Sequence, residues 1–85
     1  MGVAYGDDLQ RVRSVAVGAV EALAMREQTR DVELYFQEFG ESSIDFEVRF
    51  WIRFARWTDY LRARSEAIIA IHKAFDTAGL TIPFP

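Results

Sequence analysis

The chain has 85 residues, 51% of them apolar and none of them cysteine, with a formal net charge of −3. A sequence of this length folds around one modest core that buries about 60–65% of the unfolded surface, which leaves no room for a second domain or a deep enclosed cavity. The acidic balance disfavours phosphate-backbone binding, and the lack of cysteine excludes disulfides, thiol chemistry and cysteine-ligated zinc.

In chain order, Gly2-Val3-Ala4-Tyr5 is a short β-prone run, and Gly6-Asp7-Asp8 makes a turn and a helix start. Asp7 stands at capping-box spacing from Gln10, and both acids suit the positive end of the helix dipole. Leu9, Val12, Val15, Ala16, Ala19, Val20 and Leu23 then recur at three- and four-residue steps, an amphipathic helix expected to end near Met25.

After a polar link over residues 26–30 the period becomes two. Val32, Leu34 and Phe36 point one way, and Glu33, Tyr35 and Gln37 the other. Gly40-Glu41-Ser42-Ser43 interrupts, and alternation resumes with Ile44, Phe46, Val48, Phe50 and Ile52 against Asp45, Glu47, Arg49, Trp51 and Arg53. Two such runs around a short glycine-containing loop predict an antiparallel hairpin. Both apolar sets share a face only in one register, with Phe36 opposite Phe46 and Leu34 opposite Val48. That register sets Glu33 opposite Arg49, a cross-strand pair worth roughly 0.2–1 kcal/mol.

A long second helix follows Arg56-Trp57, capped by Thr58 or Asp59. Its expected inner stripe is Leu61, Ile68 and Phe75, joined by Ser65, Ile71 and His72, and Gly79 stands where a left-handed C-cap belongs. Leu80-Thr81-Ile82 is a short β-prone run, and Pro83 and Pro85 prevent further ladder donation. The longest aliphatic run, residues 68–71, is far short of a ~20-residue membrane span. Residues 2–8 also lack the basic start and apolar stretch of a signal peptide. The order strand, helix, strand, strand, helix, strand predicts an α+β, ferredoxin-like βαββαβ sandwich, an antiparallel sheet with two helices on one face. The whole of residues 1–85 is then a single domain, with the opposite sheet face uncovered.

Little in the sequence points to catalysis. His72 is the lone histidine, on the inner side or edge of a helix and with no orienting partner in the sequence. Glu38 and Glu41 flank a solvated turn, and the helix start already explains Asp7 and Asp8. Gly6 and Gly40 are isolated rather than part of a phosphate loop. No enzyme, metal or cofactor is expected. RNA binding is disfavoured because Tyr35 and Trp51 share their face with Glu33, Asp45 and Glu47, and residues 45–53 lack the Gly-aromatic signature. A mixed patch of Tyr, Trp and Arg suits a protein–protein contact. The competing reading leaves Trp51 partly exposed beneath Arg49 and Arg53.

Three segments carry a family resemblance. "GVAYGDDLQRV", "ESSIDFEVRFWI" and "RSEAIIAIHKAFDTAGLTIPFP" resemble, in the expected order, the C-terminal domain of the small-conductance mechanosensitive channel (MscS) family. Gly40-Glu41 stands where Gly-Asp is usual, and Leu80-Thr81 replaces Ile-Glu. The resemblance implies a non-catalytic module of the cytoplasmic vestibule of a homo-heptameric channel in the cell membrane. It also implies that the transmembrane, β-domain and C-terminal barrel segments lie outside this sequence. No nucleic-acid or small-molecule ligand is implied, and contact with the membrane would come only through those other segments. Pro83-Phe84-Pro85 then marks a junction towards a vestibule-floor segment, with its last residues expected to be disordered. Tyr35, Arg49, Trp51 and Arg53 on the open face, with Ile82, Pro83 and Phe84 at the exit, are the expected subunit-contact residues. The alternative is a free-standing ferredoxin-like regulatory domain that binds a small ligand between subunits.

Overall fold

A computed structural model describes residues 2–4, 6, 8–40, 43–53 and 56–80. Its elements are β1 (Gly2–Ala4), α1 (Leu9–Glu21), β2 (Glu33–Phe39), β3 (Ser43–Arg49) and α2 (Trp57–Ala78). The three strands form one antiparallel sheet in the order β1-β3-β2. Inserting β3 between β1 and β2 makes the split βαβ unit of an α+β ferredoxin-like fold. The expected last strand falls mostly on residues 81–82, outside the described residues, as does the Pro-Phe-Pro exit.

Hydrophobic alternation sets the hairpin register. Glu33 pairs with Arg49, Leu34 with Val48 and Phe36 with Phe46, as the sequence predicts. Beyond Phe36 the ladder shifts, so that Glu38 pairs with Asp45 and Phe39 with Ile44, leaving Gln37 as an extra, bulged residue. The bulge moves Phe39 onto the same face as Ile44. Gly40 closes the ladder, its N–H donating to the Ser43 carbonyl at 2.6 Å.

On the inner sheet face Val3, Leu34, Ile44 and Phe46 are buried beneath Val12, Ala16 and Val20 of α1 and Ala67, Ile71 and Phe75 of α2. Each fully buried Val, Leu, Ile or Phe contributes about 1.5–3 kcal/mol, so this layer is the main source of stability. The stripe expected on α1 is the one observed. Its cap is Asp8 rather than Asp7, the Asp8 carboxylate accepting the Gln10 N–H at 3.0 Å; Asp7 lies outside the described residues.

Four other details depart from the sequence reading. α1 stops at Glu21 rather than near Met25 although residues 22–25 are good helix formers. The chain there is drawn towards the sheet, with the Glu27 N–H donating to the Trp51 carbonyl at 2.6 Å and Arg26 bridging to Ile52. The Arg26 guanidinium meanwhile takes up the Glu21 carbonyl. β3 correspondingly ends at Arg49, and its continuation to Ile52 pairs with this link instead of with β2.

The N-cap of α2 is Arg56, not Thr58 or Asp59. Asp59 sits three residues in, where its carboxylate accepts the Arg56 N–H at 3.1 Å and satisfies that donor from inside the first turn. The buried face of α2 is Ala63, Ala67, Ile71 and Phe75. Leu61 and Ile68 are 45% and 47% exposed, and His72 and Ser65 are also exposed. At 100° per residue the Leu61–Ile68 line is turned by roughly 80–100° from the centre of that buried face. The alanines win the inner position because they let the helix axes approach closely. Gly79 ends α2 at φ +74°, as its position predicts.

Candidate subunit-contact surface

β2 and β3 turn their polar residues away from both helices, and no described element covers them. Tyr35 lies directly opposite Glu47, and Glu33 opposite Arg49, so four side chains form one lattice. The Tyr35 hydroxyl donates to the Glu33 carboxylate. Arg49 Nε meets Glu47 Oε2 at 2.8 Å, and its guanidinium stands 5.7 Å from the centre of the Tyr35 ring. Arg49 therefore takes its ion pair along its own strand, not from the Glu33 across the ladder. Glu33, with Arg49 pulling more weakly the other way, pushes the Tyr35 phenol above its usual value, since its carboxylate both accepts the hydroxyl proton and repels a phenolate.

Trp51 and Arg53 belong to a second cluster, built on the extended chain after β3. The Arg30 guanidinium stacks 5.5 Å from the Trp51 ring centre, so Arg30, not Arg49 or Arg53, covers the indole. Arg53 Nε pairs with Glu27 Oε2 at 3.1 Å. That pair, with donors from the Thr29 backbone and hydroxyl, holds the Glu27 carboxyl below the usual carboxylate range. Arg26 anchors the same link, donating to the carbonyls of Glu21 and Arg30 and to Gln28 Oε1. Reading residues 26–30 as a plain polar link missed this; two arginines four apart beside an aromatic strand were the available signal.

Of the expected contact residues the structure brings Tyr35 and Arg49 together, places Trp51 and Arg53 next along the strand, and leaves all four at the surface. Tyr35 is 48% and Trp51 36% exposed. Ile82, Pro83 and Phe84 lie outside the described residues.

A second surface went unread in the sequence. Along the first half of α2, Trp57, Leu61, Arg64 and Ile68 fall at steps of four, three and four, on a line that continues into buried Ile71 and Phe75. Trp57 stacks on Tyr60 with ring centroids 4.9 Å apart. Beside this ridge runs a groove of about 620 Å³ between α2 and the end of β3, lined by apolar Phe46, Val48, Ile52 and Ile68 together with charged Glu47 and Arg49. Among the described residues no three His, Asp or Glu side chains gather to hold a metal ion, and no helix is long and apolar enough to cross a membrane.

Residues 1–82 match the family described as mechanosensitive ion channel MscS, C-terminal. The chain is 28% identical over 83 residues to a small-conductance mechanosensitive channel of Helicobacter pylori, covering 98% of this chain and 30% of that one. It is 29% identical over 85 residues to an uncharacterised MscS family protein of Synechocystis, covering all of this chain and 28% of the relative. A large-conductance mechanosensitive channel of Methanocaldococcus jannaschii matches at 27% identity over 90 residues, again across this whole chain and 25% of the relative. The chain thus spans less than a third of the length of these curated relatives.

Proposed function

Because the chain belongs to the MscS family as its C-terminal domain, we propose that it is a non-catalytic assembly module in the cytoplasmic vestibule of a mechanosensitive channel. The match over almost the whole chain, in a sequence that makes up 28–30% of its relatives' length, carries this reading. The module acts by packing. Its buried helix–sheet layer makes a rigid block, and the open face with Tyr35, Arg49, Trp51 and Arg53 sets contacts among copies, seven in the complete channel. Those residue types suit the task, since aromatic rings and arginine dominate the centres of protein contacts. Ile82, Pro83 and Phe84 would extend the same contact at the exit from the domain. The parent would lie in the cell membrane through segments beyond this sequence, with this domain on the cytoplasmic side.

The test uses the full-length parent. The domain has no cysteine, so Trp51→Cys places a single thiol on the proposed contact, and a short bis-maleimide applied to membranes should give a covalent dimer, the largest product that one thiol per subunit allows. A parent gene without a membrane-spanning segment, or a membrane-embedded parent that stays monomeric under cross-linking, would sink the reading.

A further inference from the structure

We infer that the apolar ridge and groove of α2 receive the hairpin end of a second copy of this chain. The inference deepens the assembly reading by naming a pair of unlike surfaces, and it rests on that reading only for the identity of the partner.

Charge is strongly segregated along the sequence. Residues 31–48 hold six acidic and no basic side chains, whereas residues 49–64 hold five arginines and one aspartate. Glu38 and Asp45 stand directly opposite each other across the ladder near the hairpin's end, a like-charge pairing that costs stability when unrelieved. On the other face of the same hairpin end Phe39, 79% exposed, offers an apolar tip. The ridge offers the complement, with Arg64 standing between the exposed side chains of Leu61 and Ile68 and the groove opening alongside.

Asp45 alternates with buried Ile44 and Phe46, so it and its cross-strand neighbour Glu38 face the open side of the sheet, away from α2. The acidic pair of one copy is therefore turned away from that copy's own Arg64. Trp57, Tyr60, Leu61 and Ile68 together expose roughly 400 Å², about half of what a stable contact takes from each partner. The groove walls and the charged rim supply the remainder. A contact between unlike surfaces repeats from copy to copy and closes into a ring when the rotation allows. Its electrostatic part should weaken as salt rises.

The test is sedimentation of the 85-residue chain at low and high salt, with two variants. Arg64→Glu inverts the ridge, and Glu38→Lys with Asp45→Lys inverts the tip; all three positions lie at the surface or near it, and circular dichroism checks folding. The unmutated chain should associate, at least tenfold more weakly at 1 M than at 0.05 M salt. Each variant alone should be monomeric over the same range, and an equimolar mixture should recover association of alternating copies, because the acidic tip of one then meets the Arg64 ridge of the other and the lysine-bearing tip meets the inverted ridge. Association untouched by either variant would overturn the inference and leave assembly through another face intact. An unmutated 85-residue chain that remains monomeric would overturn the inference and leave the assembly of the full-length channel to its own cross-linking test. Variants that each abolish association without recovery on mixing would refute the pairing of these two surfaces.

Discussion

Phe46→Ala is expected to remove about 3–4 kcal/mol of folding stability. Phe46 is 1% exposed on the central strand, with its ring centroid 6.2 Å from Phe36 and 6.1 Å from Phe75, so it joins the sheet to α2. Truncation loses about 2–3 kcal/mol of burial and two ring contacts worth about 0.5–1.5 kcal/mol each. One side of the ring borders the open groove, where neighbouring side chains and water relax into the space, which holds the cost to the lower half of the usual range. A domain of 85 residues has about 4–13 kcal/mol of stability in all, so the loss is a large share. With an unfolding entropy of about 2.1 cal/mol/K per residue, Tm should fall by roughly 17–22 °C. Thermal melts followed by circular dichroism at 222 nm would read the shift. Phe46→Leu, which keeps most of the volume, should cost only about 1–1.5 kcal/mol. A fall of less than about 5 °C for Phe46→Ala would refute the claim that this ring ties the helix layer to the sheet.

Gly79→Ala places a Cβ at φ +74° and should cost about 1–2 kcal/mol, read as a lower urea midpoint with an unchanged slope. For Glu27 the folded carboxyl titrates below the ordinary 4.5, so its contribution is fully present above that value and is lost as pH falls through the lower folded value. Glu27→Gln should therefore flatten the fall of Tm with acid in that window, and superimposable Tm profiles would remove the Arg53 pairing as a stabilising contact. Tyr35 titrates above the ordinary 10.0, so its contribution holds below that pH and is lost as pH climbs through the raised folded value. Ultraviolet titration of the phenolate should show Glu33→Gln moving that one tyrosine back down.

What was legible in the sequence was whatever several buried side chains decide together. The hairpin register follows because slipping β2 by one residue turns Leu34 and Phe36 out into water while Val48 and Phe46 stay inside, a loss of several kcal/mol. The α1 stripe follows for the same reason. The bulge at Gln37 was readable in principle: Phe36 and Phe39 lie three apart in a run of period two, and an extra residue puts both on one face of the sheet, although Phe39 stays 79% exposed there. The face of α2 was harder to assign, because a seven-residue series of large side chains and a four-residue series that begins with two alanines predict helices turned differently. Close approach favoured the alanines, and the displaced Leu61 and Ile68 became the ridge.

The open face shows the other limit. Alternation alone puts Glu33, Tyr35, Glu47 and Arg49 on it, yet not the pairs that they form. Arg49 turns to Glu47 along its strand rather than to Glu33 across it, and Trp51 is covered by Arg30 from a distant link. Exposed pairs of this kind differ from their alternatives by less than about 1 kcal/mol, within reach of any neighbouring side chain. A sequence pattern therefore says which residues a surface offers, and the choice among their weak pairings is made only after the core has set the distances. The same reasoning explains why the Arg64 ridge was overlooked. Nothing in the sequence separates a heptad line that enters the core from one that leaves it halfway, and only the seating of Ile71 and Phe75 against Phe46 and α1 shows where this line emerges.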